Sequence, residues 1–407
     1  MFAVFTRKRL ILSVCMIVLG ASAGLLVNYL NASASEQRIA RYYAVLDAQE
    51  VIKDDVLVTI EDMNAVNRCK NLIGATRRSA DECMRKFYDD YAMEHGVEDA
   101  FSHMARLGRE QPDLLANCHY ISHGIGHAAF RLSGNDAHAA FSLMNAEPLY
   151  KNIATCGNGY FHGIAEELAR GVTDQDDLVA VLSNACAHTP NRNKGSCFHG
   201  IGHAALIQLD YDVDRMTGIC DRVSRAETER FDCLTGGFME DAQYNPDAVV
   251  YESGTFRFVR CEAMPAKYQV PCYLEHSGLM DTREQNLEYR EKIGRCKMIS
   301  DDLNRMACVK LFAIRAVRIA HYKDIKEMCK NTSSVYESVM CTAIVADRVG
   351  ASIDNSRQSD EYAVITQDIC GTLTGAEKEE CLYLARENRV QLFFTSEADL
   401  AFAARLR

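Results

Sequence analysis

Residues 323–350 read KDIKEMCKNTSSVYESVMCTAIVADRVG, and the spacing of the two cysteines in this stretch decides the fold. The pattern predicts a short helix ending near Cys329, a polar turn, and a longer helix beginning near Cys341. Two antiparallel helical arms can bring Cα atoms within the roughly 7 Å that a disulfide needs. Closing a loop of about 12 residues in this way contributes on the order of 2–3 kcal/mol. The same arrangement recurs along the chain. Cysteine pairs 11 to 14 positions apart occur at Cys69/Cys83, Cys186/Cys197, Cys220/Cys233, Cys261/Cys272, Cys296/Cys308, Cys329/Cys341 and Cys370/Cys381. From Cys186 onward the first members advance in steps of 34, 41, 35, 33 and 41, a period that marks a repeat array. The expected fold is therefore all-α, a solenoid-like array of disulfide-stapled αα-hairpins. Cys118 and Cys156 remain, and their pairing follows only by elimination.

Of the 17 cysteines, Cys15 alone lies in the apolar run LILSVCMIVLGASAGLLV at residues 10–27, just after Arg7, Lys8 and Arg9. Eighteen residues fit a single membrane-spanning helix, and the preceding basic cluster would stay cytoplasmic and send the rest of the chain across. Ala32-Ser33-Ala34 would also serve as a cleavage site, so an uncleaved anchor and a signal peptide are both open readings. Either way, the remaining cysteines fall in an exported region where disulfides persist. The expected location is the cytoplasmic (inner) membrane, single pass, with the bulk of the chain in the periplasm or exterior. A net charge of −11 with no concentrated basic stripe excludes nucleic acid as a main partner. With no CxxC, the cysteines do not suggest zinc ribbons or thioredoxin-like sites. The expected layout is an anchor at 1–35, an N-terminal helical region at 36–110, His/Glu-bearing repeats at 111–285 and scaffold repeats at 286–407.

The chemistry is concentrated in three related segments: CHYISHGIGHA (118–128), GYFHGIAEE (159–167) and CFHGIGHA (197–204). In register, His123, His162, His199 and Thr235 follow at steps of 39, 37 and 36, on the second helices of successive hairpins. Residues i and i+4 share a helix face, so His123/His127, His162/Glu166 and His199/His203 form three pairs in one stripe. Glycine costs a helix roughly 1 kcal/mol relative to alanine, so Gly124, Gly126, Gly163, Gly200, Gly202, Gly236 and Gly237 need compensation. Either the helices approach closely there or a ligand meets the backbone. The six side chains His123, His127, His162, Glu166, His199 and His203 are the expected ligands of a transition-metal ion (Fe, Zn or Cu). Glu240 is the expected general base if that metal is catalytic. His119, Asp241, Glu275 and His276 are expected to orient the ligands. His95, His103, His138, His188 and His321 are expected at the surface. Asn331-Thr332-Ser333 matches a glycosylation sequon, relevant only in a eukaryotic secretory pathway.

Together with CLTGGFMED (233–241), these segments resemble a group of exported bacterial proteins with repeated Cys-x-His-Gly-x-Gly-His and Gly-Phe-Met-Glu segments. The resemblance spans about residues 118–241 and implies a cell-envelope location; the group has no established activity. Two functional readings follow. One is a membrane-anchored metalloprotein of the cell envelope, which includes a metal-dependent enzyme. The other is a disulfide-stapled periplasmic scaffold that binds an envelope protein partner without catalysis. A planar cofactor such as haem, held between histidines and glycine backbone, is a third arrangement.

Overall fold

The computed structural model describes residues 56–71, 77–111, 118–143, 159–187, 189, 193–252, 255–283, 287–319, 327–353 and 359–387. The apolar run at 10–27, Cys156, His188 and His321 lie outside them. Cys118 is disulfide-bonded. No helix among the described residues is long and apolar enough to cross a membrane.

The described elements are overwhelmingly helical, and long helices alternate with shorter ones. The long series comprises α2 (Arg77–His95), α4 (Cys118–Leu132), α6 (Gly159–Ala169), α8 (Lys194–Gln208) and α10 (Glu227–Tyr244). The shorter partners in this half are α1 (Ile60–Asn71), α3 (Val97–Glu110), α5 (Ala137–Ser142), α7 (Gln175–Ala185) and α9 (Val213–Val223). The series continues through α11 (Val259–Ala263), α12 (Ala266–His276), α13 (Gly278–Arg283), α14 (Tyr289–Arg295), α15 (Asp302–Ile319), α16 (Val335–Ile353), α17 (Asp360–Cys370) and α18 (Gly375–Arg386). Each long helix packs on the next, from α2 through α4, α6, α8 and α10 to α12, α15, α16 and α18.

All seven predicted cysteine pairs are bonded, with Cα separations from 5.4 to 5.8 Å. The second cysteine does not open its helix, as the spacing suggested. In α2, α10, α12, α15, α16 and α18 it is the seventh residue, nearly two turns inside. The staple therefore grips the middle of the long helix, while the first turn is free for capping. The short helices carry their own regular device: Asp136, Asp174 and Asp212 accept backbone N–H groups at the starts of α5, α7 and α9.

Two departures from a plain helical array matter. The long step between Cys220 and Cys261 accommodates a small antiparallel ribbon, β1 (Val250–Glu252) paired with β2 (Thr255–Arg257), with Val250 opposite Arg257. Phe256 anchors the ribbon in the core. More important for the site, the array curls back on itself: Gln243 Nε2 at the end of α10 donates to Asp81 Oδ2 at the start of α2, at 2.8 Å across 162 positions. The long helices from α2 to α10 thus surround a common interior, and the histidine stripe faces it.

The glycines explain how close these helices come. A Cβ on Gly163 would lie 2.0 Å from the His123 carbonyl oxygen, and one on Gly236 would lie 1.8 Å from that of His199. Of the two sequence explanations for the glycines, the close helix–helix approach is the one the structure shows. At both positions the glycine that follows a stripe residue sits on the backbone of the preceding stripe histidine.

Candidate metal centre

Five imidazoles converge inside this arc. His119 and His123 come from α4, His162 from α6, and His199 and His203 from α8. His162 is central. Its ring centroid lies 4.8 Å from His119, 5.1 Å from His123, 4.9 Å from His199 and 4.5 Å from His203. His123, His162 and His203 are essentially inaccessible, while His119 and His199 reach the surface in part. Two groups have ring nitrogens close enough to hold an ion: His119/His123/His162, and His162/His199/His203, each with its donor atoms within 4.8 Å of one another.

What fixes the rings is as informative as where they lie. His123 Nδ1–H donates to Glu166 Oε1 at 2.6 Å, His203 Nδ1–H to Glu240 Oε2 at 3.0 Å, and His199 Nδ1–H to Thr235 Oγ1 at 3.0 Å. The Thr235 hydroxyl is itself committed as a donor to the Asp232 carbonyl, so it accepts from His199. An anchored Nδ1–H leaves Nε2 as the lone pair, the tautomer a metal ligand needs. The Nε2 atoms of His123 and His203 are buried without a hydrogen-bond partner, as is Nδ1 of His162. Buried polar atoms in folded proteins are nearly always satisfied, so three orphans in one cluster call for an occupant.

The electrostatics agree. Burial, reinforced by the neighbouring histidines His203, His119, His199 and His123, holds His162 well below its ordinary range. Burial, with His203 and His123, does the same to His199. Burial also lowers His123 despite the opposing pull of Glu166. These rings are therefore neutral near pH 7. Burial would raise the Glu166 carboxyl, but His123, His127 and Arg85 outweigh it and hold it well below the usual carboxylate range.

These contacts redistribute the roles expected from sequence. His123, His162, His199 and His203 are brought together as expected. Glu166 is not among the facing groups: His123 takes one of its oxygens and His127 Nε2 the other at 2.9 Å, with Arg85 Nη1 at 3.6 Å. His127 thus lies behind Glu166, on the far side from the imidazole cluster. Glu240 is likewise committed, accepting from His203 on one oxygen and from the Tyr211 hydroxyl on the other at 3.0 Å. Both Glu240 oxygens are therefore engaged in hydrogen bonds. Tyr211 holds it from a left-handed backbone conformation (φ 63°), costly for a bulky residue and characteristic of functional sites.

His119, expected as a supporting residue, stands among the facing rings. Arg85 escaped the sequence reading altogether, although its position was available: it follows Cys83 by two residues, as His199 follows Cys197. Burial opposes its charge, but Glu166 and Glu240 stabilise it, so Arg85 balances both supporting carboxylates.

Outside the cluster the signals are structural. Cys261, Cys272 and His276 lie close together, but the two sulfurs are joined in a disulfide and are not thiolate ligands. Both His276 nitrogens are engaged, with Asp241 Oδ2 at 3.0 Å and the Cys272 carbonyl at 3.1 Å. Burial pushes Glu275 up to about 7, opposed by Arg315, His203 and Lys310. His103 is buried, not exposed as expected, with Nδ1 3.3 Å from the Tyr88 hydroxyl; His95 and His138 are exposed. Asn331 of the sequon is tied down, donating to the Arg290 carbonyl and accepting from Lys297.

No protein-family model, curated protein or solved structure matches the chain.

Proposed function

We propose that this chain is a transition-metal protein of an oxidising compartment beyond the cytoplasmic membrane, anchored by its N-terminal apolar segment. Its metal is held by imidazoles lining the α4–α6–α8 interior. The observation that carries the reading is the set of buried, partnerless ring nitrogens on His123, His162 and His203, two of them on rings oriented by carboxylates. The seven staples support the compartment, because such bonds persist where thiols are not kept reduced. Three imidazoles leave a coordination position open, so a bound Zn, Cu or Fe ion would act as a Lewis acid or as an electron-transfer centre. Both candidate carboxylates are already hydrogen-bonded behind the ligands, which favours the imidazole-preferring ions over harder ones.

The test is elemental analysis of the full chain, purified without added metal, beside a His123→Ala/His203→Ala double variant. The expected result is at least one equivalent of Zn, Cu or Fe, lost in the variant while the disulfides and helicity remain. Metal-free protein that also leaves micromolar Zn and Cu unbound would refute the metal reading. It would return attention to the scaffold reading, under which the double variant is silent.

A further inference from the structure

The arrangement of the five rings reaches beyond a single ion. A metal–imidazole bond is about 2.0–2.1 Å, so the donors of one ion lie within about 4.2 Å of each other even when opposite. His119 and His199 flank His162 on different helices, with ring centroids 4.8 and 4.9 Å from it, and make no ring contact with one another among the described residues. The two donor triads overlap in one residue only, His162. That residue is also the exception in its anchoring. His123, His199 and His203 each commit Nδ1 to an oxygen acceptor, leaving one nitrogen for metal. His162 commits neither nitrogen to a hydrogen bond among the described residues, although it is only 1% exposed.

Resting on the metal reading above, we propose that the centre is dinuclear, with one ion held by His119, His123 and His162, a second by His162, His199 and His203, and His162 bridging the two through both ring nitrogens. The bridge requires His162 to release its remaining ring proton to solvent as the second ion binds. Its surroundings suit that role: no carboxylate hydrogen-bonds to it among the described residues, and its two ions would each be completed by rings from a neighbouring helix. The ions that fit are divalent and imidazole-preferring, copper and zinc.

Copper(II) alone is the probe, titrated into the metal-stripped full chain, with bound copper counted by elemental analysis and spins counted by low-temperature EPR. The expected result is two equivalents whose integrated signal falls well below that of two isolated copper ions, because a bridging ring couples them. His119→Ala should bind one equivalent with the full signal of one spin. His162→Ala should lose the coupling whatever copper it retains, with circular dichroism and disulfide mapping confirming that it folds. One equivalent in the unaltered chain would overturn the dinuclear proposal and leave the metal reading standing. Two equivalents with two full spins would overturn the bridge. No bound copper, with zinc also left unbound in a parallel titration, would overturn both.

Discussion

Gly163→Ala tests the structural basis of the site with one methyl group. Its Cβ would lie 2.0 Å from the His123 carbonyl oxygen, 2.8 Å from the carbonyl carbon and 2.9 Å from the Cα. All three are backbone atoms, so no side chain can swing aside. Reaching ordinary contact at 3.4 Å requires α4 and α6 to separate by the difference, 1.4 Å. Alanine recovers about 1 kcal/mol of helix propensity, but overpacking of this kind typically costs about 1–3 kcal/mol, and a backbone clash belongs at or beyond the upper end. The expected net loss is about 2 kcal/mol, a fall in thermal midpoint of about 2–3 °C for a chain of this length. Separation at this point also spreads the His119/His123/His162 donors, so metal retention should fall with stability. Gly218→Ala is the control: on α9 its nearest neighbour is a flexible side-chain atom, Gln175 Nε2 at 3.2 Å, and the expected change is neutral to slightly stabilising. Calorimetry and metal content of both variants decide the matter. A Gly163→Ala protein as stable as Gly218→Ala, with its metal intact, refutes the close-approach argument.

Further outcomes are expected. Replacing Glu240 by Gln should weaken metal binding by roughly 10–100-fold, the usual effect of losing a group that orients a ligating histidine; unchanged affinity with lost activity would instead restore Glu240 as a general base. The metal-free protein should lose stability as pH falls below about 6.5, the ordinary His value, because the unfolded chain takes up protons that folded His162, His199 and His123 resist. Each such group contributes up to about 1.4 kcal/mol per pH unit until its folded-state value is reached. Glu166 acts with the same sign at lower pH: its contribution is complete above its unfolded value near 4.5 and is lost as pH drops through its lowered folded value. A denaturation midpoint that does not change between pH 7.5 and 5 would contradict this. Replacing Cys296 and Cys308 together by alanine should cost about 2–3 kcal/mol and leave metal content unchanged; a loss of metal would show that the distant repeats shape the site. Expressed through a eukaryotic secretory pathway, the chain should carry no glycan at Asn331, and intact mass would expose one.

The helical class, the seven staples and the four stripe histidines were legible because each rests on spacing, and spacing is preserved from sequence to helix. What was not legible depends on the third dimension. An i, i+4 interval puts Glu166 on the same helix face as His162 but says nothing about which neighbouring helix it meets. The interval therefore does not show that Glu166 meets His123 and His127 on α4. The engagement of Glu240 by Tyr211 was illegible for the same reason, since the chain after α8 turns through two left-handed residues before Tyr211 meets it. His119 lay one turn outside the expected pairs. Arg85 was readable in principle, two residues after Cys83, but its unit lacks the His-Gly signature that drew attention to the others.

The Gln243–Asp81 contact separates this chain from an open repeat array in how it can be assembled. In an array that only touches its neighbours, each unit is finished once the next one exists. Here the staples join residues 11 to 14 positions apart and can close as each hairpin emerges, whereas the interior needs α2 and α10 together. Arg85, which balances both supporting carboxylates, arrives early, and Glu240 arrives about 150 residues later. A fragment ending before α10 would hold formed hairpins and every one of the five facing histidines, yet lack the carboxylate behind His203. If the chain binds metal as proposed, capture at full strength would mark a chain synthesised past residue 243 and folded back on its own beginning.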